Sequence, residues 1–516
     1  MYERLSPLDS SFLHIEDDVS HMHIGAVCVF EGPPPDYDEI LAVIRGKLDS
    51  VPRFRQVVRS VPLELGRPVW VDYPHFNLEY HVRHTALPHP GGEEALQRLV
   101  GRVMSQQLDR GKPLWENWII EGLEDDHWAL ISKTHHCMVD GVSGADMLAA
   151  VLDLSPDAGA LEPGPWGPMS QPSAVRLASD AVIGLLASPF EQLRWLRAAT
   201  RVPRTAAQQV SQVGRSLWAA AGVLGRASEP TSLNGPLGPH RRWRTADTTV
   251  ADVKAVRHGV GGTFNDVVLA AITRGYRDLL AARGESVDRT IRTMVPVSVR
   301  GRNDQGTAVG DGTFDNKVSA MFAELPIGLA DPVERLHAIS EQMRGLKESK
   351  HAVAGEALTE LTGFAPPALL ALSGRIAARL PNHTVNALTT NVPGPQLPLY
   401  SVGRKMVRAY PYAPLGAQLR VGVAIFSYDG KVTFGVTADF DSTPDIAVLT
   451  DGINAGMEEM LAAARQATTA DQDVQSKDVQ NQDVIDLADR PDATNGDGHT
   501  RNGAGKPGRA QPATRS

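Results

Sequence analysis

His135-His136-Cys137-Met138-Val139-Asp140-Gly141 is the stretch on which the reading of this chain turns. Residues 128–134 before it are apolar and β-branched and predict a strand. Residues 143–153 after it carry a helical pattern, with Ser143 as N-cap and Asp146 three positions on, in the manner of a capping box. The histidine pair is thereby set where a rigid element ends in a loop. An imidazole so placed can hold its pKa near working pH and take a proton from a hydroxyl. A bare HxxxD is a cheap pattern, and His14 with Asp18 makes a second one with no glycine behind it. The first histidine, Gly141 and the strand–loop–helix setting distinguish the central copy.

Working outward, the 516 residues allow a large core and more than one domain, and 42% hydrophobic with 22% charged residues predicts a mostly globular chain. A net charge of −9 argues against a nucleic-acid footprint. Two cysteines, Cys28 and Cys137, cannot make a disulfide framework and fit a reducing cytoplasm. Residues 1–9 lack the apolar core of an export signal, and no window approaches the roughly 20 apolar residues of a membrane span. The expectation is a protein that is soluble or lies on a membrane surface.

Residues 1–155 mix strands and helices. The clearest strand is 23–30; helical patterns occupy 40–48 and 93–100. Residues 156–173 are rich in Pro, Gly and Ser and read as a linker. Residues 174–226 are helical and basic, with Arg176, Arg194, Arg197, Arg201, Arg204, Arg215 and Arg226 among apolar residues. This is either a helical crossover with a solvated Arg face or an amphipathic segment for a membrane interface, and the two are compatible. Residues 240–465 return to mixed elements, with a helix over 266–280 and strands over 292–299 and 430–437. From 466 the pattern collapses, and 466–516 reads as a disordered tail. The expected division is therefore 1–155, 156–239, 240–465 and 466–516.

Further blocks accompany the central motif: Leu5-Ser-Pro-Leu-Asp9, Phe12-Leu13, Met22-His-Ile-Gly25, Leu108-Asp109, Lys112-Pro-Leu-Trp-Glu116, Asn234-Gly-Pro236, Asn265-Asp266, Pro296-Val-Ser-Val-Arg300, Asn391-Val-Pro-Gly-Pro395 and Ser427-Tyr-Asp-Gly430. In this order they resemble the bacterial wax ester synthase/diacylglycerol acyltransferase family, its actinobacterial triacylglycerol synthases in particular, over roughly residues 1–465. The resemblance implies an α+β fold of two chloramphenicol-acetyltransferase-like domains, the CoA-dependent acyltransferase fold, with a tunnel between them. It implies an O-acyltransferase that moves a long-chain acyl group from acyl-coenzyme A to diacylglycerol, or to a fatty alcohol, in the last step of triacylglycerol synthesis. Acyl-coenzyme A would be a co-substrate; no permanently bound cofactor and no metal is expected. Greasy substrates imply a peripheral place on the inner membrane or on lipid droplets, facing the cytoplasm.

Successive residues of an extended chain point to opposite faces, so His135 and His136 cannot both face one tunnel, which also weighs against a shared metal. In the family the second histidine is the base. His136 is therefore the candidate proton acceptor, and His135 a packed or hydrogen-bonded support. Asp140 invites a triad reading, but the resemblance implies that it fixes the loop through an arginine, for which Arg300 is the candidate. Gly141 permits a close turn. Asn265 is either an oxyanion donor or the N-cap of its helix, with Asp266 supporting the first turn. Cys137 reads as a small buried filler rather than a nucleophile. Cys137-Met138 and Thr390 depart from the family's usual residues without removing a group that the chemistry needs.

Three rivals remain in view. Gly141-Val-Ser-Gly-Ala145 nearly makes a G-x-S-x-G elbow but ends in alanine. Carrier-protein-dependent acyltransferases of the condensation-domain and polyketide-associated type share the histidine motif. A catalytically weak lipid-droplet-binding protein would use 174–226 as its anchor.

Overall fold

A computed structural model describes residues 2–139, 151–159, 161–187, 228–298, 318–348 and 384–488. Its strands fall mainly into two six-stranded sheets among these residues. The first is built on β1 (His23–Phe30), which pairs antiparallel along its length with β6 (Trp128–His135). Beyond β6 lie β5 (Trp115–Glu121) and then, parallel to it, β4 (Val82–Ala86). The short antiparallel pair β2 (Gln56–Arg59) and β3 (Val69–Asp72) stands apart from this sheet. On the other side of β1 is β12 (Arg404–Tyr412), followed by β11 (Tyr400–Ser401). The first sheet is thus completed by strands that arrive almost 400 residues into the chain.

The second sheet runs β7 (Arg241–Thr249), β14 (Lys431–Asp439), β13 (Val421–Tyr428), β10 (Ala387–Pro393), β8 (Ile291–Ser298) and β9 (Val318–Leu325). β12 also fastens the two sheets together. Thr433 Oγ1 donates to Ala409 O at 2.6 Å, Tyr428 Oη to Met406 O at 3.0 Å and Trp243 Nε1 to Pro411 O at 3.3 Å. Gly435 has to be glycine for this crossing, because a Cβ there would lie 1.7 Å from Pro411 O.

The strand readings at 23–30, 292–299 and 430–437 agree with β1, β8 and β14 to within a residue or two. The helical readings correspond to α2 (Tyr37–Lys47), α4 (Glu93–Met104) and, for 266–280, α7 (Phe264–Ala282), the last buried along most of its length. The others are α1 (Pro7–Ile15), α3 (Leu78–His81), α5 (Ala174–Ala187), α6 (Val250–Gly259), α8 (Pro332–Glu348) and α9 (Ile446–Ala488). The helix expected over 143–153 lies mostly outside the described residues. Its last three positions are not helical, because Asp153 makes a backbone bridge to Tyr400 and an ion pair of 2.7 Å to Lys47. Of the basic segment, α5 is described and 188–226 is not. The chain groups into two units, Met1–Arg465 and Gln466–Ser516. α9 carries helix as far as Ala488, where the collapsed sequence pattern predicts none. Among the described residues no helix is long and apolar enough to cross a membrane.

Candidate active site

β6 ends at His135 and the chain passes at once into a single 3₁₀ turn, His136–Met138. Two backbone bonds fix where the strand stops: His135 N–H donates to Leu114 O at 2.9 Å, and His136 N–H to Met22 O at 2.8 Å. The His135 side chain is fully buried and caps the turn, its Nδ1 accepting from Cys137 N–H at 3.1 Å. Since Nδ1 is an acceptor, the proton of a neutral His135 sits on Nε2. His135 thus supports the turn through its side chain, while His136 is the first residue of the turn.

The His136 ring lies against Phe12 of α1, with centroids 3.9 Å apart and planes 22° from parallel. It is partly exposed. Burial pushes its pKa down to about 4, with nearby His135 adding in the same direction. The expectation of a value near working pH is therefore corrected. The ring is pressed into apolar surroundings, and no carboxylate among the described residues pairs with it. At neutral pH the imidazole is uncharged and able to accept a proton.

A residue that sequence reasoning missed stands behind the pair. Glu16, just past the end of α1, has a buried side chain. One oxygen lies 3.4 Å from His23 Nε2 and accepts from Met22 N–H at 3.3 Å. The other lies 3.5 Å from His135 Nε2 and accepts from Arg110 Nε at 2.9 Å. Burial alone would raise this carboxyl, but His135, His23 and Arg110 together hold it well below the usual carboxylate range. His23 itself is driven down to about 3 by burial, against the pull of Glu16. The only sequence sign of this was an acid closing the apolar run Phe12, Leu13, Ile15 next to the Met22-His-Ile-Gly25 block. Gly25 is needed there because a Cβ would lie 2.7 Å from Ser132 O of β6.

The Pro113-Leu-Trp-Glu116 block is scaffold. Leu114 O holds His135, Trp115 is buried with its indole N–H on Phe54 O at 2.9 Å, and Glu116 reaches Arg83 at 3.1 Å. Cys137 is buried, which raises its thiol well above the ordinary range and keeps it protonated. Among the described residues no set of three His, Cys, Asp or Glu side chains is arranged to hold a metal. Asp140, Gly141 and Arg300 lie outside the described residues, so the loop-fixing pair and the close turn expected of them are not described.

Asn265 opens α7. The N-cap is Thr263, whose hydroxyl accepts from Asp266 N–H at 3.3 Å while Asp266 Oδ2 accepts from Thr263 N–H at 2.8 Å, a complete capping box. Asn265 therefore sits one residue inside the helix and is not its cap. Its side-chain oxygen accepts from Asn391 Nδ2 at 3.3 Å, so two of the blocks noted in the sequence meet. That contact leaves the Asn265 amide N–H₂ group to donate elsewhere. The Asn391 block is tied down in turn. Gly394 N–H donates to Ser427 Oγ at 3.3 Å, and a Cβ on Gly394 would lie 2.3 Å from Ser427 O.

Residues 5–268 match the model of the wax ester synthase/diacylglycerol acyltransferase catalytic domain, and residues 314–461 match the C-terminal domain of the same family. A Mycobacterium tuberculosis H37Rv protein named "Probable diacyglycerol O-acyltransferase tgs1" is 37% identical over 464 residues, covering 89% of this chain and 96% of that one. The solved wax ester synthase/diacylglycerol acyltransferase from Marinobacter aquaeolei VT8 is 25% identical, with a TM-score of 0.61 over 89% of this chain and 99% of its own. The first condensation domain of the calcium-dependent antibiotic synthetase shares the fold, with a TM-score of 0.53 at 15% identity over 90% and 97% of the two chains. The chain belongs to the wax ester synthase/diacylglycerol acyltransferase family, an α+β enzyme of the two-domain chloramphenicol-acetyltransferase-like fold with that family's diacylglycerol O-acyltransferase function.

Proposed function

We propose that His136 is the general base of direct acyl transfer from a long-chain acyl-coenzyme A to diacylglycerol, with a fatty alcohol as the alternative acceptor. The observation that carries this reading is the neutral, partly exposed imidazole held on a short turn at the end of β6. The hydroxyl proton passes to His136 as the alcohol oxygen bonds to the thioester carbon. The carbonyl oxygen becomes an oxyanion, to which the Asn265 amide donates. Collapse re-forms the carbonyl and breaks the C–S bond, and the departing thiolate takes the proton from His136. No acyl-enzyme forms, in keeping with a buried, protonated Cys137. Both substrates reach the motif through a tunnel between the halves of the molecule.

Diacylglycerol is presented at a lipid surface, so the enzyme works against the inner membrane or a lipid droplet from the cytoplasmic side. Support comes from α5, where Val175 and Ile183 are 79% and 62% exposed beside Arg176, and from Leu63 next to that helix, 87% exposed.

Labelled palmitoyl-coenzyme A offered with dioleoylglycerol, and separately with hexadecanol, tests the reading. Labelled triacylglycerol or wax ester is expected. Folded protein that makes neither product, yet transfers a palmitoyl group from an acyl-carrier protein, would overturn it.

A further inference from the structure

We propose that Glu16 is a positioning residue for the transfer reaction, holding the turn that carries His136 through the first two backbone N–H groups of that turn. The inference rests on the reading of His136 as the base. Two arms leave the one carboxylate. Along the first, Glu16 accepts from Met22 N–H at 3.3 Å, and Met22 O accepts from His136 N–H at 2.8 Å. Along the second, Glu16 stands 3.5 Å from His135 Nε2, and His135 Nδ1 accepts from Cys137 N–H at 3.1 Å. The backbone N–H groups of residues 136 and 137, successive donors of the turn, are thus each one residue away from Glu16.

The second arm also selects a tautomer. His135 can accept from Cys137 only while its proton is on Nε2, and a carboxylate facing Nε2 favours that form. The buried anion is balanced by Arg110, on the same oxygen that faces His135; Arg110 also donates to Leu13 O at 2.9 Å and so ties the charge to the end of α1. The same helix presents Phe12 to the His136 ring. Backbone and ring of the base are therefore located by one short N-terminal segment that makes no bond to the reacting atoms. A general base must hold its nitrogen within hydrogen-bond reach of the hydroxyl, and small displacements cost rate rather than substrate affinity.

The experiment uses the full chain with palmitoyl-coenzyme A and dioleoylglycerol, and compares Glu16→Gln with His135→Asn. Glutamine keeps the size of Glu16 but removes its charge. Asparagine at 135 can still cap the turn through its side-chain oxygen, yet cannot reach Glu16. In folded protein each variant should lower kcat by about 10- to 100-fold and leave KM for both substrates within about twofold. The double variant should be little worse than either single one, because both cut the same arm. Wild-type kcat in folded Glu16→Gln would overturn the proposal. If Glu16→Gln does not fold, wild-type kcat in His135→Asn would overturn it equally. His136→Ala run alongside separates the two claims: an active His136→Ala defeats the base assignment itself, whereas an inactive His136→Ala beside a fully active Glu16→Gln defeats only the positioning role.

Discussion

The two sides of the candidate site solve opposite electrostatic problems. On the first sheet, Glu16 and His23 of the N-terminal segment gather with His135 and the partly exposed Arg110 into an ionisable cluster behind the proposed base, while the ring of His136 stacks on Phe12. Beside the second sheet, the start of α7 offers neutral amides, Asn265 braced by Asn391, while the adjacent acid Asp266 is engaged by Thr263 and by Ser340 at 3.0 Å. Charge is used to locate the base but is kept one residue away from it. At Asn265, the proposed oxyanion donor, the chain presents an amide, and the adjacent Asp266 is bonded to Thr263 and Ser340 instead. A base that must stay neutral and a donor that must not meet a free carboxylate call for different surroundings, and the two halves supply them.

The sharpest way to break this comparison is Asn265→Ala. As the oxyanion donor it should lower kcat about 10²- to 10³-fold. A loss confined to KM would assign Asn265 to binding instead. Phe12→Ala removes a ring contact worth about 0.5–1.5 kcal/mol. It should slow transfer roughly two- to tenfold, and steady-state rates on dioleoylglycerol check this. An unchanged rate would make Phe12 mere packing. Thr263→Ala deletes the cap beside Asn265 and should cost about 1 kcal/mol in denaturant unfolding. Its kcat should stay near wild type; a large rate loss would show that the cap and the donor are not separable.

The charged side makes a prediction about pH. His23, His81 and His136 have folded pKa values of about 3, 4 and 4 against the ordinary 6.5, all through burial. Between 6.5 and those values the unfolded chain binds protons that the folded chain refuses, so the stabilisation is fully present above pH 6.5 and is lost as pH falls. Glu16, depressed below its ordinary value, adds a loss of the same sign below about 4.5. The melting temperature should be level above pH 6.5 and decline steadily beneath it. A level profile down to pH 4.5 would show that these histidines are not buried in the neutral form.

Much of this fold is visible in local pattern because period and caps are local. Apolar runs mark β1 and β6, and the helical pattern over 266–280 marks α7. Residues 404–412 show nothing that sends them to the first sheet, since partnership between strands almost 400 residues apart is a matter of topology and not of periodicity. His136 could be named because its motif is contiguous. Glu16 could not, because Glu16-Asp17-Asp18 looks like a solvated acidic run and its partners His23, Arg110 and His135 are scattered between residues 23 and 135. Asn265 stayed ambiguous between cap and donor until the position of Thr263 removed the first choice. The pKa of His136 differs from the expectation for a related reason: strand position can be read from sequence, whereas the burial that lowers the value depends on packing partners distant in sequence, Phe12 among them.

The most direct measurement compares two neighbours on the same turn. Initial rates of labelled palmitoyl transfer to dioleoylglycerol would be taken for His136→Ala and Cys137→Ser, each at a temperature where it is folded. The account predicts a fall of about 10²- to 10⁴-fold for His136→Ala and a near-wild-type rate for Cys137→Ser. A largely active His136→Ala, or a Cys137→Ser that is folded and dead, would contradict direct transfer by His136.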